Sequence, residues 1–578
     1  MSLHQIIILN FFALFVLSFL FVRSYVRNKR NYYVVFLFAF SFLPVVNIFQ
    51  SGVFADSLFT EHVKLAMSFD KLLSERIYIP QWSSNACSGF GCPVFQYIYP
   101  LPYYFISFSH KLGASYILAT KFVLSISFVL SGYFMYLFAK NEFGGKSGFV
   151  SGIFYVFAPY HLIAVHFRSA VGEVLSFVFL PLCFYFISKY ISDRKVYLSI
   201  FGGLMYFFLI LSHQVTALLT LPLLVFFIIY ACKVKRADIS VIYGITLYFV
   251  TAFLLSVYYL LPVLIESKYI QFSKLVSISF APISSYISSP LNYWFGLMYQ
   301  GLNGELYPQI GFFHLAIIIF GIYTANKFSK IIQILLFGIL FLIVIYFVLM
   351  LPISIQLYKI IPLLNNIQFS WRFIIEIGFL IAFFAGITLK NASRQTIAFF
   401  CIGVVSLSLL NWSSRSYQPG VDDKRLENEK IYNEKPCDIE ISTPVWVPTC
   451  SRWIGMNPKQ ILETVSNPVN ITVLQNNTLE KVFLVNSSSD MLLRANIYYY
   501  PGWTVLVDNK EQQVSTVLSH KKGLIHFRTD SGLHKVEIEY RDTPVRFYSR
   551  VVSISTLAVV VIYLLSIYIK HLIYGYKK

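Results

Sequence analysis

Long apolar runs recur along this chain of 578 residues, and they restrict its fold more than any other feature. The runs have about 15 to 25 residues, close to the length that an α-helix needs to cross the hydrocarbon core of a bilayer. Charged residues make up only 13% of the chain, roughly half of the fraction usual in soluble proteins. We therefore predict a polytopic α-helical membrane protein with about thirteen transmembrane helices. The predicted spans are Gln5–Val22, Tyr32–Phe49, Ser115–Ala139, Gly148–Leu162, Val174–Ser188, Tyr197–Leu211, Thr216–Ala231, Val241–Leu261, Gly311–Ala325, Ile331–Leu351, Phe373–Leu389, Thr396–Leu410 and Val551–Ile569.

The loops between the predicted spans alternate in charge. With about thirteen spans, every basic loop falls on one face, which the positive-inside rule assigns to the cytoplasm. The N-terminus is then outside and the C-terminus inside. The net charge of +19 is thus explained by orientation, and it does not indicate nucleic-acid binding. The basic residues of the loops assigned to the cytoplasm are Arg23, Arg27, Lys29, Arg30, Lys140, Lys146, Lys189, Arg194, Lys195, Lys233, Lys235, Arg236, Lys327, Lys330, Lys390, Arg394, Lys570, Lys577 and Lys578.

One apolar segment does not fit the count easily. Tyr97–Ser109 is short, and Pro100 and Pro102 lie near its start. If it crossed the membrane, every later loop would change sides. We therefore predict an interfacial or re-entrant segment.

Residues 411–550 differ in composition from the rest. Apolar and polar residues alternate in Trp503–Asp508 and in His534–Tyr540, with turn residues such as Pro501-Gly502 nearby. This pattern predicts short antiparallel strands and a sandwich-like all-β domain outside the cytoplasm. The predicted domains are a transmembrane region (1–410, with an outer loop at 50–95), the β-domain (411–550), and a last helix with a cytoplasmic tail (551–578).

The outer loop 50–95 contains polar residues that are candidates for catalysis. Asp56, Glu61 and His62 would place a general base or a metal-assisting carboxylate beside a histidine. The alternative is that Asp56 caps an amphipathic interfacial helix from Ser57 to Arg76, with Glu61 and His62 on its wet face. Two carboxylates could hold a divalent cation, but they do not establish a metal site.

Four of the seven cysteines lie in predicted outer segments. Cys87 and Cys92 form one close pair, and Cys437 and Cys450 form another. Two disulfides in an oxidising compartment are favoured over zinc, because the Cys-x₄-Cys spacing lacks a matching second pair nearby.

Other polar candidates lie at the outer ends of predicted spans. Arg168 could bind a phosphate, since a guanidinium group matches phosphate oxygens. The alternative is a structural ion pair between Arg168 and Glu173 that closes a helical hairpin. His213 and Arg372 could join such a site or could be ordinary interfacial residues.

The order of several short motifs resembles the bacterial membrane proteins labelled 6-pyruvoyl-tetrahydropterin-synthase-related and the wider YfhO-like group. The motifs run along nearly the whole chain. They are Ile79-Pro-Gln-Trp82, Gly89-Phe-Gly-Cys-Pro-Val-Phe95, Tyr99-Pro-Leu-Pro-Tyr-Tyr104, Ala158-Pro-Tyr-His-Leu162, Arg168-Ser-Ala-Val-Gly-Glu173, Leu180-Pro-Leu182, Ser212-His213, Gln368-Phe-Ser-Trp-Arg372, Tyr499-Tyr-Pro-Gly-Trp503, Gly532-Leu-His-Lys-Val536 and Tyr540. A pterin synthase needs a zinc site of histidines in a soluble fold, and the sequence has no such cluster.

The resemblance implies a glycosyltransferase of the GT-C type in a bacterial cytoplasmic membrane. In that fold the first outer loop carries the catalytic acid, the donor is usually a polyprenyl-phosphate sugar, and the acceptor is an envelope glycan, lipid or protein. Asp56 would then be the base, although its five-residue separation from His62 departs from the usual Asp-x-x-x-His and leaves Glu61 as a substitute. Arg168 and Arg372 would bind the donor phosphate, and Trp82 would form a sugar platform.

Two other functions remain open from the sequence. The chain could be a non-catalytic membrane protein that binds or assembles a surface polysaccharide through its β-domain. It could also transport lipid-linked sugars.

Overall fold

A computed structural model of the chain describes most of its residues. The described ranges are 3–54, 58–87, 89–270, 309–361, 364, 367, 369–414, 417–428, 460–465, 469–516 and 523–575. Asp56, Cys437 and Cys450 therefore lie outside the described residues, and so does Gln368.

Long apolar helices dominate the described chain. Nine of them are long and apolar enough to cross a membrane, and a pair bent by 52°, Gly145–Val156 with Pro159–Phe167, could form a tenth span. Three shorter apolar helices are Tyr33–Phe49, Val196–Ser212 and Phe312–Lys327. Every predicted span lies on one of these helices, so a multi-pass helical membrane protein is confirmed, while the number of crossings and their direction stay predictions. The α-helices are Leu3–Phe21, Tyr33–Val46, Phe59–Ser74, Val94–Tyr97, Leu101–Lys111, Tyr116–Phe143, Gly145–Val156, Pro159–Leu162, Val171–Asp193, Val196–Ser212, Gln214–Val234, Val241–Glu266, Phe312–Thr324, Lys330–Leu349, Ile355–Ile360, Ile374–Thr388, Arg394–Ser408, Asp423–Asn428 and Pro544–Gly575.

The short apolar segment after the outer loop forms the helix Leu101–Lys111, which has 11 residues. At 1.5 Å per residue such a helix extends roughly 17 Å. A bilayer core is about 30 Å thick, so this helix is too short to cross it. The structure thus agrees with an interfacial or re-entrant segment.

The outer loop is folded rather than extended. Its described part begins with the strand β1 (Val53–Phe54), which pairs antiparallel with β2 (Tyr417–Gln418). The helix Phe59–Ser74 follows, where the sequence indicated an amphipathic helix. The predicted bond between Cys87 and Cys92 is present. It closes a turn in which Gly89 and Gly91 have φ angles of 80° and 74°, values that glycine adopts at little cost.

Two antiparallel sheets precede the last helix, as the alternating pattern predicted. The strands are β3 (Leu462–Thr464), β4 (Asn470–Asn476), β5 (Glu480–Ser487), β6 (Met491–Tyr498), β7 (Trp503–Val507), β8 (Lys510–Glu511), β9 (Leu524–Thr529) and β10 (Gly532–Tyr540). The larger sheet has five strands in the order β4-β5-β10-β7-β8, and the smaller has three in the order β3-β6-β9. In the central strand β10, buried Val536 lies opposite Phe483 of β5, and buried Ile538 lies opposite Val505 of β7.

The chain divides into two compact units that do not follow chain order. The first contains residues 1–62, 108–253 and 277–422, and the second contains 63–107, 254–276 and 423–578. The second unit thus combines most of the outer loop with the C-terminal strands and the last helix. The domain boundaries predicted at 410 and 550 remain a prediction.

Candidate functional site

The buried carboxylate of Glu173 lies beside most of the polar residues that were predicted at the outer ends of the helices. Glu173 is only 2% exposed. Its Oε2 atom accepts hydrogen bonds from Arg168 Nη1 at 2.6 Å and from the Tyr160 hydroxyl at 2.9 Å. Its Oε1 atom lies 3.8 Å from His213 Nε2 and 3.8 Å from Arg372 Nε. We call these five residues the Glu173 cluster. All of them belong to the first unit.

The local backbone explains how Arg168 and Glu173 meet. Arg168 ends a π-helical segment, Ile163–Phe167, and Glu173 lies in the first turn of the helix Val171–Asp193. Between them the chain reverses at Ser169, whose φ angle is 50°. Only a few per cent of non-glycine residues have such a left-handed backbone, which tends to occur at functional sites. The helix N-terminus also favours a negative charge at Glu173.

The Glu173 cluster contains two guanidinium groups. Those of Arg168 and Arg372 both lie beside the Glu173 carboxylate. Their side chains keep exposed fractions of 15% and 13%, whereas Glu173 keeps 2%. Guanidinium groups bind phosphate and carboxylate oxygens through parallel hydrogen bonds. The chemistry of these two partly exposed groups therefore suits an anion.

The outer loop reaches this cluster. The Leu58 backbone N–H donates to the Arg168 carbonyl oxygen at 3.2 Å. His62, four residues further on, is 6% exposed. Burial and the positive charge of Arg168 lower the pKa of His62 to about 4, while Glu173 acts in the opposite direction. His62 is thus neutral near pH 7, and the charges of Arg168 and Glu173 both act on it.

The other two loop candidates have different outcomes. Glu61 is exposed in the first turn of the helix Phe59–Ser74. Asp56 lies outside the described residues, and in the sequence it precedes Leu58 by two positions. Its role as a base or as a helix cap stays a prediction.

A lysine fixes the start of the same loop. Lys121 Nζ donates to the carbonyl oxygens of Gln50 at 2.5 Å and Gly52 at 2.7 Å. Lys121 is 4% exposed and lies inside the apolar helix Tyr116–Phe143. The sequence analysis did not select it, although a lysine within an apolar run is a signal for a functional or structural contact.

Tyr160 and Glu376 were also missed. Tyr160 joins Arg168 to Glu173, since its hydroxyl accepts from Arg168 Nη1 at 2.6 Å. Glu376 is fully buried in a predicted span, and its Oε1 atom accepts from the Thr220 hydroxyl at 3.0 Å. A glutamate inside an apolar run could have identified the second, whereas no sequence signal distinguishes Tyr160 from the other tyrosines.

Trp82 belongs to the second unit and is 1% exposed. Its ring centroid is 5.3 Å from that of Trp503 and 5.7 Å from that of Tyr540. A Cβ atom at Gly91 would lie 2.6 Å from the Trp82 indole nitrogen. The indole is thus enclosed by aromatic rings and the disulfide-bonded turn, and a role as a sugar platform stays a prediction.

Within the described ranges, no group of three or more His, Cys, Asp or Glu side chains could hold a metal ion.

A comparison with protein families identifies the middle of the chain. Residues 95–418, more than half of the chain, match the family described as "6-pyruvoyl-tetrahydropterin synthase related domain; membrane protein". The chain belongs to this family. The matched region of the 6-pyruvoyl-tetrahydropterin-synthase-related family includes all five residues of the Glu173 cluster, whereas Asp56, His62 and Trp82 precede it.

Two individual proteins are similar to this family member. An uncharacterised protein of Lactococcus lactis subsp. cremoris (strain MG1363) is 25% identical over 256 residues, which are 43% of this chain and 41% of the relative. The match thus spans less than half of that relative. The cryo-EM structure of the arabinofuranosyltransferase AftD from Mycobacteria has a TM-score of 0.41 and 15% identity, over 66% of this chain and 27% of that chain.

Proposed function

We propose that this protein is a membrane glycosyltransferase of the GT-C type. It transfers a sugar from a polyprenyl-phosphate donor to an envelope acceptor at the outer face of a bacterial cytoplasmic membrane. The observation that carries the proposal is the Glu173 cluster, in which two partly accessible guanidinium groups share one buried carboxylate. The motif resemblance given above supports the same reaction class.

The proposed reaction is a direct displacement at the anomeric carbon. The acceptor oxygen forms a bond to that carbon, and the bond between the carbon and the donor phosphate oxygen breaks. The acceptor proton goes to a carboxylate, for which we propose Asp56, with Glu61 as the alternative. The bonding electron pair leaves with the lipid phosphate, whose negative charge increases by one.

The guanidinium groups act where this charge develops. Arg168 and Arg372 bind the phosphate oxygens and stabilise the leaving group more strongly in the transition state than in the ground state. Glu173 holds both guanidinium groups in position, and Tyr160 completes its hydrogen bonds. His62 stays neutral, and it therefore adds no positive charge that would weaken the proposed base.

Two anchors of the outer loop support a proposed base that acts together with the phosphate site. The hydrogen bond from Leu58 to the Arg168 carbonyl oxygen fixes the start of the helix Phe59–Ser74 at the cluster. Lys121 fixes the loop on the other side of the Asp56 segment, at Gln50 and Gly52. Both ends of that segment are thus anchored within the first unit.

Replacement of the proposed base tests the function. A strain that carries Asp56→Asn should lose one sugar from its envelope glycans, measured by mass spectrometry, while the abundance of the protein is unchanged. Glu61→Gln is the matched control at an exposed carboxylate of the same loop. Loss of the sugar only in the Glu61→Gln strain would move the base to that residue.

The same strains distinguish the alternatives. Unchanged glycans in both the Asp56→Asn and Arg168→Gln strains would contradict transfer and favour a protein that only binds polysaccharide. Accumulation of the donor lipid on the cytoplasmic leaflet would instead favour a transporter.

A further inference from the structure

A polar cleft in the second unit contains the predicted sugar platform Trp82 but none of the residues to which the proposed transfer assigns a step. Its volume is about 180 Å³, and it is lined by the end of the outer loop and by the C-terminal strands. Lys71, Asn85, Asn476 and Asn477 line it with exposed side chains. The buried lining includes aromatic rings, among them Trp503, which is 3% exposed. Amide and ammonium groups around aromatic rings are suited to a hydroxyl-rich ligand with apolar C–H faces.

A buried ammonium group gives the cleft its charge. Lys481 is 5% exposed and lines the cleft. Its Nζ atom donates to Asn476 Oδ1 at 3.2 Å and to the Asn477 carbonyl oxygen at 2.8 Å. No carboxylate of the described chain lies within ion-pair distance of it. A buried charge without a counter-charge is costly, so Lys481 favours a ligand that brings a negative group.

Glu75 lies beside the cleft but does not form an ion pair with Lys481. Glu75 accepts from the Thr478 backbone N–H and from the Thr478 hydroxyl, both at 3.0 Å. No Asp or Glu is among the described residues that line the cleft, whereas Lys71 and Lys481 both line it. The cleft is therefore positively charged.

A buried donor on the cleft lacks a hydrogen-bond partner. The Trp503 Nε1–H is buried and has no hydrogen-bond acceptor among the described residues. An unsatisfied buried donor is costly, and a ligand oxygen would remove that cost. The volume corresponds to on the order of a dozen water-sized spheres, which is close to the size of one sugar ring.

We propose that this cleft binds one residue of an acidic saccharide. The sugar carboxylate pairs with Lys481 and Lys71, a ring or hydroxyl oxygen accepts from Trp503 Nε1, and the asparagine amides bind the remaining hydroxyls. This binding does not require the transferase reaction, and its test is independent of Asp56 and the Glu173 cluster.

Calorimetric titration of the full-length protein in detergent tests the site. The probes are tetragalacturonate and a glucuronate-containing tetrasaccharide, and the matched neutral probe is methyl-esterified tetragalacturonate. At least one acidic probe should bind saturably, and loss of its negative charge should weaken binding by about tenfold. Trp503→Phe, which keeps an aromatic ring but loses the N–H, should weaken binding about 2- to 10-fold.

Two lysine variants complete the experiment. Lys71→Gln should weaken binding of the acidic probe, whereas Lys535→Gln, at a lysine that is 50% exposed on β10 and outside the cleft, should not. Burial, with the charges of Lys71 and Glu75 acting in opposite directions, lowers the pKa of Lys481 to about 8. Binding should therefore weaken between pH 7 and pH 9, as Lys481 loses its proton.

Several results would overturn the proposal. The proposal is wrong if neither acidic probe binds saturably, or if the esterified probe binds as tightly as the acidic one. It is also wrong if binding is unchanged in both Trp503→Phe and Lys71→Gln. Inorganic phosphate that binds as tightly as the saccharides would indicate a general anion site and would also contradict the proposal. None of these outcomes bears on the transfer reaction, which is tested by glycan analysis.

Discussion

Each unit of this protein contains a buried glutamate bound to arginine, and the two sites differ in the exposure of their guanidinium groups. In the second unit, Glu266 Oε2 accepts from Arg546 Nε at 2.9 Å and from Nη2 at 2.8 Å. The Tyr500 and Thr543 hydroxyls also donate to Glu266. Arg546 is fully buried and Glu266 is 2% exposed. The Glu266–Arg546 pair thus has one arginine for one carboxylate, and its guanidinium group is not exposed to solvent.

The Glu173 cluster is less enclosed. Two arginines share its carboxylate, both keep some exposure, and the second is 3.8 Å away rather than in hydrogen-bond contact. Removal of one partner from an enclosed ion pair is costly, because the other charge stays buried. Guanidinium groups that keep some exposure can bind an anion. The exposure of the guanidinium groups thus distinguishes the enclosed ion pair from the candidate phosphate site better than burial of the carboxylate does.

Removal of Arg546 should produce the largest effect on stability. Arg546→Met leaves the Glu266 carboxylate buried without its cation, and we expect a loss of about 3–5 kcal/mol in the free energy of unfolding. The checks are the monodisperse fraction in detergent and the apparent unfolding temperature. Arg541→Met is the control, because Arg541 is 51% exposed and its pair with Glu539 should contribute less than about 1 kcal/mol. Equal stability of the two variants would show that the enclosed Arg546 pair contributes no more to stability than the exposed Arg541 pair.

Removal of Arg168 should mainly affect transfer. Arg168→Gln takes away one of the two groups proposed to stabilise the leaving phosphate, and we expect the rate to fall by about 10²- to 10³-fold per folded molecule. Its loss of stability should be smaller than that of Arg546→Met, because Arg372, His213 and Tyr160 still surround Glu173. Arg168→Lys should recover only part of the rate, since an ammonium group lacks the paired donors. A normal rate in Arg168→Gln would reduce the cluster to a structural feature.

Arg372 should have a smaller effect. Its guanidinium group is 3.8 Å from Glu173 and donates through Nη1 to the Ile367 carbonyl oxygen at 2.8 Å. We expect Arg372→Gln to lower the transfer rate by about tenfold, with an apparent unfolding temperature close to that of the unaltered protein. Loss of folded protein, without a lower rate in the remaining fraction, would show that Arg372 belongs with Arg546 among the structural arginines.

The smallest effect concerns acid stability. Because the folded pKa of His62 is about 4 and an unfolded histidine titrates near 6.5, the unfolded state binds more protons between these values. Stability therefore falls as the pH falls from 6.5 to 4. His62→Gln should lessen that decline, measured as the apparent unfolding temperature in detergent at several pH values. An identical pH profile in both proteins would place His62 in a more solvated environment.

Much of the fold could be predicted because it depends on local patterns. A run such as Val174–Ser188 has the length and apolarity of a span wherever it lies, and the structure has a helix there, Val171–Asp193. The alternation around Val536 and Ile538 likewise indicated the strand β10. The division into units was not predictable in this way, since residues 63–107 join residues 423–578 through contacts distant in sequence.

The candidate site was predicted in part. Arg168, Glu173, His213 and Arg372 were selected because charged or polar residues at the ends of apolar runs are uncommon, and the structure brings them together. Tyr160 was not selected, because nothing in a sequence tells a hydrogen-bonded tyrosine from an interfacial one. Lys481 was not selected either, since its burial depends on strands that pair only in the folded sheet.

The sequence by itself determined that this chain is a multi-pass helical membrane protein with a β-rich segment before its last helix, because hydrophobic length and residue alternation are properties of consecutive residues. Only the tertiary structure decided which charges are paired. The sequence contains both Arg168 with Glu173, five positions apart, and Glu266 with Arg546, 280 positions apart. The energy of a charge depends on its partners and on its distance from water, and both are set by packing between segments remote in sequence.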